Sequence, residues 1–462
     1  MAPKAALEER QEELIVAGDG SGAYRSIGQA LNEAAPGATI RVRPGVYRER
    51  LKIDRPVELV CDGPAGAAIV ECDSSECLLA TARTAAVRGL TFRCTAGANG
   101  ISCFAVEVQG GLLLEDCRIT SDSRACLAAR GPDADPTVRR CRIYDAAQTG
   151  ALFYQGARGL FEDCEFTANI LCSVEVREGS DPILRRCRIQ GGVRVFDQAR
   201  GTFEDCEIHN AELSAFQVDT FGDPTVRRCS IHHAQGAGVL VAGPARGAFE
   251  ECDIFANALS GVEVKEGGDP MVRRCGIHHG EGDGVMVAGK GRGDFEDCDI
   301  FANGLSGIEV KEGGDPTVRR CRIHDGQGGG VLVAGDGRGV FAQCDIFGNA
   351  LAGMEVSEGG APVVQHCQLH HGKQGGVLVH SQGRGIFEEC DIFADARVGV
   401  AIFDGGDPML RQSKIHDSHD AGVMVFNRGR GTLEECELWG NLGRNLDLRH
   451  GCEIRRRGVV ER

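Results

Sequence analysis

Cys321, His324 and Asp325 fall within five positions in GGDPTVRRCRIHDGQGGG, residues Gly313–Gly330. A thiol, an imidazole and a carboxylate are the groups of a nucleophile, its base and the base's orienter. The imidazole recurs as His232, His278, His324, His370 and His416, every 46 residues, followed by His233, His279, Asp325, His371 and Asp417. Such pairs also suit metal ligation or proton transfer. What decides between chemistry and architecture is where the spacing puts these residues in three dimensions.

The spacing is that of a repeat. From Cys94, cysteines stand at 117, 141, 164, 187, 206, 229, 252, 275, 298, 321, 344, 367 and 390, in steps of 23, 24, 23, 23, 19 and then eight of 23. Ser413 and Cys436 continue the register, which makes sixteen rungs with one short coil between Cys187 and Cys206. An apolar residue lies three before each mark and another two after it, as in Val318, Cys321 and Ile323. A further period-2 segment follows, as in GVLVAG from Gly330. Short alternating segments separated by Gly, Asp, Asn and Pro are strands and turns, and a unit of 23 residues has no room for a helix.

These features predict an all-β chain, a parallel β-helix of about 16 coils with 23 residues per coil and an N-terminal helical cap. Successive coils stack at about 4.8 Å, so equivalent residues form columns. The Cys column points inward as free thiols, because parallel Cβ vectors disfavour bridging. Histidines two coils apart stand about 9.6 Å from one another, too far to share one zinc. Phe255, Phe301, Phe347 and Phe393 fill the alternate coils. The Cys-His-Asp run is thus expected to be geometry, with Cys321 inside and His324 and Asp325 in a turn.

A second period of 46 runs through the charges. Arg139–Arg140, Glu162–Asp163, Arg185–Arg186 and Glu204–Asp205 begin an alternation of basic and acidic pairs ahead of the cysteines that continues to Arg319–Arg320. Stacked, they place opposite charges next to each other and like charges two coils apart. Two adjacent coils lose their charges together, at Ala342 and Gln343 and at Gln365 and His366. Asn169, Asn257, Asn303, Asn349 and Asn441 sit five after a ladder position, where Asn suits a turn.

Composition agrees. Of 462 residues 66 are Gly and only 5% are aromatic, and the net charge of −16 disfavours nucleic acid and anionic membrane as partners. The start, MAPKAALEERQEEL, is polar, and eighteen uncharged apolar residues never run together. The expectation is a cytoplasmic protein with reduced thiols.

Near the N-terminus, YRSIGQALNEA has helical spacing at Tyr24, Ile27, Leu31 and Ala34 and is followed by ATIRVRPGVY. This stretch resembles the N-terminal cap of pectinesterase-type right-handed β-helix proteins. The repeats, GGDPTVRRCRIHDGQGGGVLVAGDGRGVFAQCDIFGNALAGMEV, resemble those of the CASH type, especially in β-helical F-box substrate receptors, over about residues 85–445. The resemblance implies the right-handed, pectin-lyase-like fold. The domain layout expected is a polar tail over 1–14, a cap over 15–60, the β-helix over 61–440 and a C-terminal cap with a basic tail over 441–462.

The same superfamily includes polysaccharide lyases, epimerases and hydrolases, yet their carboxylate motifs are not found here, and no catalytic residue, metal ligand or cofactor is assigned. The leading expectation is a non-catalytic scaffold for protein recognition or assembly. The alternative is a carbohydrate-active enzyme or a glycan-binding module, with a polysaccharide as partner. The site is expected where the ruler fails, between Cys187 and Cys229. Tyr144, Tyr154, Phe196, Phe216 and Phe221 cluster near there and, if exposed, would stack on sugars or anchor a partner.

Overall fold

A computed structural model describes residues 12–95 and 103–462. The expected polar tail falls almost wholly outside them. The chain divides into a first unit, residues 1–194 with 198–207, and a second, residues 195–197 with 208–462. Both are built the same way. Each turn contributes one strand to each of three parallel sheets, called first, second and third in the order the chain visits them.

The turn that begins at Thr317 serves as the pattern. Its strands are Thr317–Arg319, Arg322–His324 and Val331–Val333, and they pair with the next turn at Thr317↔Val340, Arg322↔Asp345 and Val331↔Met354. The 23-residue interval is therefore the interval of hydrogen-bonded neighbours. Between first and second sheets the bend is made by the residue before the ladder position. Arg320 and Gln343 there have φ of 51° and 57°. Left-handed backbone is unfavourable for such side chains, and the Arg320 N–H donates to Ala342 O at 3.0 Å in compensation.

The chain makes nineteen turns, counted as strands of the second sheet, against the sixteen coils expected. Three precede the cysteine ladder, starting at Thr39 inside the segment read as cap, and one follows it at Glu453–Arg457 and Val460–Glu461. The first two and the last carry no ladder cysteine and fall outside the sixteen, whereas the third was marked by Cys94. Cys94 is itself not a rung. Thr91 pairs with Arg118, so Leu90 holds the position beside Cys117, and Cys94 ends its strand opposite Ser121.

Helix α1, Ile27–Glu33, is shorter than its apolar spacing suggests because Ser26 caps it, with the Gln29 N–H donating to Ser26 Oγ at 3.3 Å. Glu49 accepts from the Ile27 and Gly28 N–H groups, each at 2.8 Å, and Ile27, Ala30 and Leu31 are buried. An acid at a helix start is favoured by the orphan donors there.

The core repeats every two turns as well. Along the second unit's first sheet, Phe249, Val272, Phe295, Val318, Phe341, Val364 and Phe387 alternate inside, all fully buried, so a large ring rests on a small side chain. Isoleucines line the second sheet and valines the third. The ladder cysteines are buried, and all 22 cysteines are free thiols. Cys321 Sγ donates to Phe295 O at 3.6 Å and Arg319 O at 3.4 Å, and Ser413 Oγ takes over the same task toward Phe387 O at 3.2 Å.

The charge ladder stands as expected within each unit. In the first, Arg139 meets Glu162 at 2.9 Å and Arg186 meets Asp163 at 2.8 Å. In the second, Arg227 meets Glu250 at 3.0 Å and Arg320 meets Asp297 at 2.8 Å. Where the charges lapse, Gln365 donates to Glu388 at 3.1 Å. These pairs are largely exposed, and such pairs contribute only ~0–1 kcal/mol each.

Candidate active site

The Cys-His-Asp run is not a triad. Cys321 points into the core, whereas His324 ends a strand of the second sheet on the outer face, and Asp325, with φ 53°, makes the bend. His324 is thus in a strand and not in the turn expected. Its Nε2 bonds Asp299 at 3.0 Å and its Nδ1 bonds Asp325 at 2.8 Å, so both ring nitrogens are engaged.

The same ring belongs to a continuous outer column. His209, His232, Phe255, His278, Phe301, His324, Phe347, His370, Phe393, His416 and Trp439 stack face to face, with centroids 4.3–5.5 Å apart. Each face is covered by the next ring, which leaves only edges for solvent. A sugar stacks on ring faces, so this column offers none. Among the described residues no group of three or more His, Cys, Asp or Glu is placed to hold a metal ion.

The five aromatic residues expected to form a site are divided, two in the first unit and three in the second. In the first unit, Tyr144 lies on the second sheet beneath the Arg142 guanidinium, 5.2 Å from its ring. Tyr154 lies on the third sheet against the cluster of Phe104, Ala125, Ala128 and Leu152, with Arg177 5.7 Å over its ring. In the second unit, Phe216 is fully buried and packs edge-on against Phe249 at 5.6 Å, so it is core and not a contact residue. Phe196 is half-buried, and Phe221 alone of the five is exposed, at 58%. Phe221 borders a shallow groove of about 530 Å³ with Asp223, Arg246, Asp269, Lys290 and Arg292.

The arrangement that does have catalytic character lies on the outer face of the second unit's third sheet. In the corner leading into that sheet, Ser260, Asp283 and Ser306 occupy equivalent positions, so a carboxyl stands where the neighbouring turns carry a hydroxyl. Asp283 is 6% exposed and accepts from the Ser306 N–H at 2.9 Å. Burial and the adjacent Glu309 carboxylate push its carboxyl up to about 6. Glu309 in turn accepts from Lys311 Nζ at 2.6 Å, and one side of the same face repeats the motif with Glu263 and Lys265 at 2.9 Å. Met286 pairs with both Glu263 and Glu309 in adjacent strands, which sets the two acids on either side of its turn. The result is a pair of adjacent carboxyls, Asp283 and Glu309, with the Lys311 ammonium beside Glu309.

The sequence signal for this site was present and unused. EGDGVMV differs from its aligned neighbours ALSGVEV and GLSGIEV at the Ser position, and an interruption of a column is visible once the repeats are stacked. The 23-residue spacing holds at Asp283, so the break there is one of residue type and not of length.

Solved structures similar to this chain are carbohydrate-active β-helix enzymes at low identity. A carrot pectin methylesterase is 15% identical over 53% of this chain and 82% of its own, with a TM-score of 0.37. An alginate lyase from Paenibacillus sp. str. FPU-7 is 13% identical over 52% and 95%, with a TM-score of 0.41. The A-module of an Azotobacter vinelandii mannuronan C-5 epimerase is 12% identical over 91% of each chain, with a TM-score of 0.32. The profile described as the right handed beta helix region matches residues 78–212, 125–269, 214–369, 260–407 and 358–458. With nineteen parallel turns and matches that run from 78 to 458, the chain belongs to the right-handed β-helix family.

Proposed function

We propose that the chain is a carbohydrate-active β-helix that hydrolyses glycosidic bonds on the outer face of its third sheet. The observation that carries this reading is the buried Asp283 carboxyl, set against Glu309 where neighbouring turns have serine. Below pH ~6 Asp283 holds a proton and gives it to the glycosidic oxygen as the C–O bond breaks, while water adds to the anomeric carbon and loses its proton to solvent. Lys311 Nζ holds Glu309 at 2.6 Å. Glu263, Glu309 and Glu355 outnumber Lys265 and Lys311 on this face, which suits a neutral or amino-sugar polymer better than a polyuronide.

The test is release of reducing ends from a panel of neutral, amino-sugar and uronate polysaccharides. Activity is expected on the first two, declining as pH rises through about 6, where Asp283 loses its proton. Asp283→Asn is expected to lose it by ~10²–10⁴-fold, the usual contribution of a general acid. Absence of products from the whole panel, or an unchanged Asp283→Asn rate, removes this reading.

A specific observation favours a second reading, assembly with another copy. Leu213, Leu259, Leu305 and Leu351 are 71%, 54%, 55% and 37% exposed in one row at the corner between the second and third sheets. Gly236, Gly282 and Gly328 separate them, and a Cβ at Gly282 would lie 2.8 Å from the Leu259 carbonyl carbon. Knobs two turns apart with gaps between them are self-complementary. Sedimentation velocity at micromolar concentration is expected to show a dimer that the double variant Leu259→Glu, Leu305→Glu converts to monomer; a monomeric wild type excludes it.

A further inference from the structure

Of the cysteines outside the ladder, all but Cys452 lie in the first unit. Cys72 and Cys94 are direct partners on adjacent strands of the second sheet. Cys94 Sγ stands 2.9 Å from Cys103 Sγ, within about 1 Å of the ~2.05 Å of a disulfide. Cys77 immediately precedes Leu78–Ala80, the third-sheet strand of the Cys72 turn, and its Sγ donates to Arg93 O at 3.1 Å, next to Cys94 in the chain. Cys77 and Cys94 are fully buried and Cys103 nearly so, whereas Cys72 is half-exposed.

Cys72 borders a surface pocket of about 450 Å³ lined by Arg48, Glu49, Arg50, Glu71 and Ser75. Its thiol donates to Glu49 O at 3.0 Å. Hydrogen bonds from Cys77 and then Ser75, the first outweighing the burial that opposes it, hold the Cys72 thiol below its ordinary value. Burial and Cys103 push Cys94 the other way. The reactive thiol is therefore the one at the pocket and the disulfide-ready pair lies behind it.

In the ladder each thiol is buried and donates to carbonyls, as Cys321 and Cys344 do, so none of them borders the surface as Cys72 does. There burial pushes Cys390 up to about 12. Cys61 and Cys452 are half-exposed like Cys72, and so provide the comparison for exposure alone.

We propose that Cys72, Cys77, Cys94 and Cys103 form a dithiol–disulfide exchange site that is oxidised by a low-molecular-weight disulfide through Cys72 and stores the oxidising equivalent as a Cys94–Cys103 bond. The Cys72 thiolate attacks the small disulfide, forming a mixed disulfide and releasing one small thiol. Cys94, its strand partner, attacks Cys72 in the mixed disulfide and releases the second small thiol. Cys103 then attacks Cys94, the Cys72–Cys94 bond breaks, and Cys72 regains its proton as a thiol. In sum, one small disulfide and two protein thiols give one protein disulfide and two small thiols.

The experiment is incubation of the native full-length chain with oxidised glutathione, followed by alkylation and peptide mapping at timed intervals. A Cys94–Cys103 disulfide is expected with the ladder thiols still alkylated only after unfolding, and Cys61 and Cys452 ending as mixed disulfides or thiols. In Cys72→Ser, Cys94–Cys103 formation is expected to slow at least about tenfold, while Cys103→Ser is expected to trap Cys72 bound to glutathione or to Cys94. Circular dichroism of both variants checks the fold. Oxidation that leaves Cys94 and Cys103 reduced, or proceeds at an unchanged rate in Cys72→Ser, overturns the proposal.

Discussion

Asp395 shows how a single departure acts in a chain of columns. Asn257, Asn303 and Asn349 are 1% exposed and hold successive turns together: Asn349 Oδ1 accepts from the Gly326 N–H at 3.0 Å and its Nδ2 donates to Ile323 O at 3.1 Å. Asp395 takes the next place in that column, fully buried, with Oδ1 accepting from the Gly372 N–H at 2.9 Å and Oδ2 without a partner among the described residues. Only a protonated carboxyl can reproduce the amide's donor, and burial pushes Asp395 up to about 8. A carboxyl whose folded value lies above its unfolded value binds more protons in the folded state, so stability falls as pH rises from about 4 to about 8 and the loss is complete above that. Asp395→Asn restores the donor without a charge. It is expected to raise stability by on the order of 5 kcal/mol at pH 9 and to change it little at pH 4, as four pKa units imply. Urea titrations at the two pH values check this, and an equal effect at both would show that the carboxyl's ionisation is not what matters.

At the scale of the strand and turn, most of the fold was legible because every turn must bury the same positions. Val318, Cys321 and Ile323 are each at most 1% exposed, as the pattern of apolar residues around the ladder required. What was not legible follows from the same reliance on one marker. The turns from Thr39 to Leu90 carry no cysteine at the ladder position, so they add no true rung; only the strands before residue 61 read as cap, and Cys94 imitated a rung by lying 23 residues before Cys117. The sheet pairing Thr91↔Arg118 exposes the coincidence, since register is a property of two strands and spacing is a property of one chain. Glycine at the start of the third sheet was equally unread. Gly261, Gly284, Gly307 and Gly330 have ordinary backbone, but a Cβ at Gly307 would lie 2.3 Å from Ile323 Cγ2 and 2.7 Å from Gly330 O. The column is glycine because the isoleucine of the next turn occupies the space, a requirement that exists only after stacking. The candidate site shares this limit: Asp283 is an unremarked acid in the chain and becomes a buried member of a carboxyl pair only beside Glu309 of the following turn.

At the scale of the whole molecule the repeating unit is two turns, 46 residues, and not one. Phe and Val alternate inside the first sheet, basic and acidic pairs alternate outside it, and His and Phe alternate on the second sheet, all in the same phase. A solenoid's stability is close to a sum of turn and interface contributions, so removing turns is tolerated where the new interface resembles an old one. Deleting residues 299–321 takes out one turn and joins Cys298 to Arg322. Phe295 then meets Phe341, His278 meets His324, and Glu296 and Asp297 lose Arg319 and Arg320 for Ala342 and Gln343. Two rings at one core level overpack by about 1–3 kcal/mol, whereas the exposed ion pairs, ~0–1 kcal/mol each, are lost in either deletion because removing 299–344 sets Glu296 and Asp297 against Gln365 and His366. Deleting residues 299–344 removes twice as much chain and joins Cys298 to Asp345. Now Phe295 meets Val364 and His278 meets Phe347, as their counterparts do in the native stack. The larger deletion is therefore expected to keep a midpoint of thermal unfolding near that of the full chain, and the smaller one to fall several degrees below it. Differential scanning calorimetry of the two deletions decides: if the single-turn deletion is the more stable, the two-turn period is a feature of the sequence with no energetic role.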